Sequence, residues 1–170
     1  MYKVLALLFF FSFLVMAQEI NKMSIDSKSG KPMLIGPCDR NAFADTNFAW
    51  WFNSGYKFYN PDTSSITDLK KIETDYEITI VMGTWCSDSR REVPRFYKIT
   101  DELNLSNNNI KLLNVDRQKA GDSTNVDSLD IKLIPTFIIY SNGKEIGRIV
   151  ETPKETLEKD LAKILLKKND

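Results

Sequence analysis

An α/β fold, with one central mixed sheet carrying helices on both faces, follows from three features of this chain. The apolar run Ile78-Thr79-Ile80-Val81-Met82 leads into a charged amphipathic helix, Asn142-Gly143 joins two strand-like runs, and a capped amphipathic helix closes the sequence. A parallel crossover combined with a hairpin specifies a mixed sheet. The 170 residues, 42% hydrophobic and 27% charged, suit one globular domain with a modest addition.

The elements follow in order. Met1-Tyr2-Lys3 precedes a run from Val4 to Met16 that is apolar except for Ser12, and Ala17 then offers a small residue for cleavage. This pattern predicts a cleavable signal peptide over 1–17, too short to span a bilayer comfortably, with no stable membrane span left after its removal. A secreted or periplasmic mature protein is expected, in a compartment where disulfides persist.

An N-terminal extension over 18–62 begins with a polar, flexible lead to about residue 30. Pro32 to Cys38 reads as a short edge strand interrupted by Gly36 and Pro37. From Asp45 to Tyr59, Phe48, Trp51, Phe52, Tyr56 and Tyr59 recur at helical spacing, which predicts an aromatic helix packed through one stripe. Trp50 lies off that stripe and is expected at the surface. The other use of so many aromatics is a binding wall beside the site.

The main domain is expected over 63–170. A helix starting at Ser65, with Asp68 closing a capping box, buries Ile66, Leu69 and Ile72. The strand 78–82 follows, and then a helix buries Val93, Phe96, Ile99 and Leu103 with Pro94 inside it. Next come the strand Ile110 to Asp116, a polar stretch from Arg117 to Ser128, and the strand Thr136 to Tyr140. The Asn142-Gly143 turn returns the chain antiparallel as 145–150. Thr152 as N-cap, Pro153 at the first helical position and Glu155 open the last helix, which turns Leu157, Leu161, Ile164 and Leu165 inward.

Composition excludes several chemistries. Formal charge is zero with the signs mixed, so no nucleic-acid groove is expected. There is no histidine, which removes the commonest general base and metal ligand; neither a metal nor a cofactor is expected.

Cys86 falls where the strand 78–82 runs into its helix, and a thiol at a helix start is a candidate nucleophile. The first-turn N–H groups favour thiolate, the attacking form. Arg90 and Arg91 act in the same direction, while Asp88 opposes them by like charge. Ser89, one turn on, can donate a hydrogen bond to the thiolate; Ser87, Asp88 and Ser89 also suit plain helix capping.

Taken together, these residues resemble the thioredoxin family. Trp85-Cys86 sits at the strand-to-helix junction, Pro94 lies eight residues beyond the cysteine, Asn114-Val115-Asp116 ends the next strand, and Ile134-Pro135-Thr136 stands at the place of the family's cis-proline signature. The resemblance covers roughly residues 65 to 166. It implies a thioredoxin-like fold and thiol-disulfide exchange at Cys86, with protein thiols and disulfides as partners. It also implies a cis Pro135 beside the thiol and backbone groups of Ile134 for an extended substrate, with Trp85 alongside.

Two departures limit the carry-over. Thioredoxins resolve mixed disulfides with a second cysteine at the position held here by Ser89, and a hydroxyl cannot do this. Their buried carboxylate six residues before the first cysteine is replaced by Ile80. A single attacking thiol, served by an external thiol donor, is the expectation. Monothiol glutaredoxins share Cys-x-x-Ser but differ in motif interior and proline signature.

Cys38 is the second thiol. It could resolve mixed disulfides at Cys86, form a permanent bridge worth about 3 to 4 kcal/mol in the loop-entropy model, link to another chain, or stay buried as a small hydrophobe. Two further classes remain open: a redox-silent peptide-binding module on the same fold, and a thiol peroxidase. Against the latter, Gly83 stands three residues before Cys86, where peroxiredoxin-type sites present threonine.

Overall fold

A computed structural model describes residues 19–72, 75–121 and 126–167. The expected signal segment lies outside the described residues, as does the middle of the polar stretch after Arg117.

The central sheet has five strands. A run buried on both faces places β4 (Glu77–Met82) at its centre, parallel to β5 (Ile110–Asn114) and antiparallel to β6 (Thr136–Ser141). The strand β7 (Lys144–Val150) pairs antiparallel with β6 through the Asn142-Gly143 turn, whose two φ values of 51° and 71° fit the tight hairpin that this dipeptide favours. On the far edge β3 (Gly36–Cys38) pairs antiparallel with β5, giving the order β3-β5-β4-β6-β7.

The side chains of Ile78, Ile80 and Met82 point to one face, with Leu112, Phe137 and Ile149 beside them. Four α-helices contribute to the core on this face: α1 (Thr46–Phe58), α2 (Thr63–Leu69), α3 (Ser87–Glu102) and α4 (Leu157–Leu166). The opposite face is a thinner layer. Val81, Leu113 and Val115 are covered there by Val126, Ile134 and partly buried Leu129 and Ile131, around a 3-10 helix at Asp127–Leu129.

The aromatic segment packs as the stripe predicts. Asp45 caps α1, and Phe48, Trp51 and Phe52 are buried while Trp50 is 66% exposed. Gly55 is required by the crossing with α3, since a Cβ there would stand 2.6 Å from Pro94 Cγ. Pro94 therefore lies inside α3 where that helix packs directly against Gly55 of α1.

The extension departs from the sequence reading. Its polar lead contains β1 (Met23–Ile25), which forms an antiparallel hairpin with β2 (Pro32–Leu34). The single edge strand expected over 32–38 is divided in two at Gly36, whose φ of 78° turns the chain from β2 into β3. Three-residue strands leave no alternation to read.

Two helix starts also move. Asp62, three residues earlier than expected, caps α2 by accepting the Ser65 N–H at 2.8 Å and the Ser65 hydroxyl at 2.6 Å, and Ser65 is buried within the helix. The hydroxyls of Ser64 and Ser65 hold the Asp62 carboxyl at about 2. At the other end Thr156, not Thr152, caps α4. The segment before it is tied down because the Lys154 N–H donates to Asp160 at 2.6 Å, and Glu155 pairs with Lys163.

Candidate active site

Parallel pairing of β4 with β5 brings the loops after Met82 and Asn114 together at one end of the sheet. The Val115 N–H donates to the Met82 carbonyl at 2.8 Å, and the Trp85 indole N–H donates to the Val115 carbonyl at 2.9 Å. Gly83 makes room for the ring: a Cβ there would meet Trp85 Nε1 at 2.6 Å.

Cys86 is the N-cap of α3 and carries no side-chain cap hydrogen bond, so its sulfur is not spent on the helix. Its Sγ lies 3.5 Å from the Ile134 carbonyl oxygen, and the Ile134–Pro135 peptide is cis. Cys86, Trp85, Ile134 and Pro135 are thus gathered at one place. Cys86 and Trp85 are half-buried against the smaller apolar cluster, and Leu133 next door is 46% exposed.

Ser89 is buried, and its hydroxyl accepts the Gly83 N–H at 3.3 Å. That bond ties α3 back to the loop that carries Trp85 and leaves the hydroxyl proton free of this interaction. Arg90 and Arg91 are committed elsewhere: Arg90 Nε donates to the Thr84 carbonyl at 2.5 Å, and Arg91 bridges Asp88 and Glu92.

The N-terminal hairpin reaches this same end of the sheet. The Leu34 N–H donates to Thr84 Oγ1 at 3.1 Å, and Asp26 binds Arg117 through two bonds of 2.6 and 2.8 Å. The Arg117 guanidinium lies 4.5 Å from the centroid of the Trp85 ring, a cation–π contact. Sequence reasoning missed Arg117. The available signal was topological, because residues just after β5 must lie beside residues just after β4.

Cys38 is placed apart from this group. Both thiols are free. Cys38 stands in β3 opposite Leu112, on the edge two strands from β4, and packs against the larger core. Burial pushes its thiol up to about 11. At pH 8 only about one Cys38 in a thousand would be thiolate. Iodoacetamide at that pH is therefore expected to label Cys86 well before Cys38, as peptide mass mapping over a time course would report; simultaneous labelling would contradict this.

A family model described as Thioredoxin matches residues 67–163. The chain belongs to the thioredoxin family. Thioredoxin H9 of Arabidopsis thaliana is 31% identical over 116 residues, covering 66% of this chain and 79% of that protein. The thioredoxin of Coprinus comatus is 29% identical over 104 residues, covering 60% of this chain and 94% of its own length. The fold is also that of a protein of unknown function from Pseudomonas aeruginosa, whose crystal structure superposes with a TM-score of 0.54 at 19% identity over 78% of this chain and 91% of that one. Membership in the thioredoxin family brings thiol-disulfide exchange, with protein thiols and disulfides as partners. Among the described residues of this thioredoxin relative no helix is long and apolar enough to cross a membrane.

Proposed function

We propose that this protein is a secreted or periplasmic thiol-disulfide exchange protein that works through Cys86 as a single attacking thiol. The observation that carries the reading is the position of Cys86 Sγ, at the start of α3 and 3.5 Å from the carbonyl of Ile134 beside cis Pro135. A substrate chain extended along Ile134 and Pro135 would bring its disulfide to the sulfur, with Trp85 as the neighbouring wall.

In the first step the Cys86 thiolate attacks one sulfur of the substrate disulfide. A bond forms between the two sulfurs, the substrate S–S bond breaks, and the departing thiolate takes a proton from water. In the second step a thiolate of an external donor attacks the mixed disulfide and releases the substrate sulfur or Cys86. A second donor thiol completes the cycle, so the substrate disulfide gains two electrons and the donor pair becomes a disulfide. Ser89 assists by donating a hydrogen bond from its hydroxyl to the Cys86 thiolate. Cys38, as the second thiol of the chain, is the internal alternative to the external donor, though it stands apart from Cys86 in β3 and its raised pKa slows it in that role.

Release that waits for an outside thiol prolongs the mixed disulfide, which favours isomerisation and deglutathionylation over fast reduction. Incubation with oxidised glutathione, followed by acid quench and intact mass, tests the reading. Glutathione is expected on Cys86 alone. A disulfide joining Cys38 to Cys86 would instead establish the two-cysteine cycle, and an unmodified Cys86 throughout would leave a redox-silent peptide-binding module as the better account.

A further inference from the structure

We propose that Arg117, clamped by Asp26 over Trp85, is a positioning residue that sets the nucleophilicity of Cys86. This rests on reading Cys86 as the attacking thiol. Asp26 comes from the β1–β2 hairpin, far from Arg117 in sequence, and is 1% exposed. Its carboxylate accepts from Arg117 Nε at 2.6 Å and from a terminal guanidinium nitrogen at 2.8 Å, and also from the Ser29 hydroxyl and the Lys28 N–H. A two-point fork leaves the guanidinium one orientation.

In that orientation the charge sits 4.5 Å from the ring centroid of Trp85, the residue before Cys86. The ring is itself pinned by its hydrogen bond to Val115, and Trp85 and Cys86 pack on the same apolar cluster. A fixed cation is thereby held over the ring next to Cys86, near enough for a Coulombic interaction with the thiol.

Other charges also face this end of the sheet. Arg91 is paired with Asp88 and Glu92, and Lys132 with Asp130. Arg90 donates to the Thr84 carbonyl and keeps its charge, the Asp116 carboxylate accepts the Gln118 and Ala120 N–H groups, and Lys28, Lys31 and Lys119 add positive charge on the hairpin and after β5. Arg117 is held protonated chiefly by its hydrogen bonding to Asp26, against desolvation, with smaller Coulombic contributions from Asp26 and Cys86. Hydrogen bonds from Arg117 and Ser29 hold Asp26 far below the usual carboxylate range.

The pair acts with opposed signs. Arg117 favours the thiolate, and the Asp26 charge tempers it. Asp26→Asn keeps the shape of the side chain and removes the tempering charge, so Cys86 attacks faster at neutral pH. Arg117→Gln removes the favouring charge and slows it. A role confined to holding the hairpin in place would loosen the site in both variants and move both rates the same way.

The test is the rate of Cys86 alkylation by iodoacetamide in the full mature chain, followed from pH 5 to 9 by peptide mass mapping. D26N is expected to move the profile to lower pH and R117Q to higher pH, each changing the rate at pH 7 by roughly threefold or more. R117K, which keeps the charge, is expected to recover most of the R117Q loss. Shifts of the same sign, or none, would overturn the proposal. If R117Q does not fold, D26N decides alone, and an unchanged or slower rate sinks the idea. Native Cys86 that resisted iodoacetamide across the whole range would instead defeat the attacking-thiol reading itself.

Discussion

Ser89→Cys is expected to convert a monothiol site into a dithiol one and to shorten the life of mixed disulfides by orders of magnitude. Ser89 lies one helical turn from Cys86 on the same helix, fully buried, with its Oγ turned toward the Gly83 amide at 3.3 Å. A sulfur at that position would attack the Cys86 sulfur of the mixed disulfide intramolecularly, expelling the substrate as a thiolate. Such an attack outruns an external thiol at millimolar concentration because its effective concentration is far higher. The readout is acid-quenched intact mass after exposure to oxidised glutathione. The native protein should retain glutathione on Cys86, and S89C should show an internal disulfide with almost none retained. Persistent glutathionylation of S89C would mean that the two positions do not meet during turnover.

Phe43→Ala is expected to be the most damaging single truncation in the N-terminal segment. Phe43 sits in the 3-10 helix Arg40–Ala44 and is 2% exposed. Its ring stacks on Phe52 at 4.6 Å and meets Trp51 edge-on at 5.4 Å and Tyr97 of α3 at 6.4 Å. Removing it opens a cavity at the junction of three elements, which costs about 3–5 kcal/mol. At about 2–4 °C per kcal/mol for a chain of this size, the melting temperature should fall by roughly 6–20 °C. Urea unfolding would check the same quantity, and a fall below about 1 kcal/mol would mean that this segment is not part of the cooperative core.

Much of the architecture was legible because periodicity and turn chemistry are local. The run Ile78–Met82, the stripe Val93-Phe96-Ile99 and the Asn142-Gly143 turn each declare their element within a few residues, and each was found in place. Caps were less legible because several residues of the right type compete. Asp62 displaces Ser65 through three simultaneous hydrogen bonds, and Thr156 displaces Thr152 because Asp160 holds the intervening backbone. At the site, Cys86, Trp85, Ile134 and Pro135 could be grouped from motif spacing. The link from Asp26 to Arg117 could not, since it joins residues 91 apart with no pattern connecting them.

The three-residue strand β3 has a consequence for how the sheet meets other chains. It covers the outer side of β5 along Leu112, Leu113 and Asn114, yet it lies outside the residues 67–163 that match the family model. A chain trimmed to the family boundaries would expose a row of unpaired amides and carbonyls on β5, next to the apolar surface vacated by Phe43 and Phe48. Such an edge is a template for strand exchange between molecules. The segment before the matched residues is in this sense a built-in guard against self-association, and its loss should be seen first as dimers and aggregates rather than as lost chemistry.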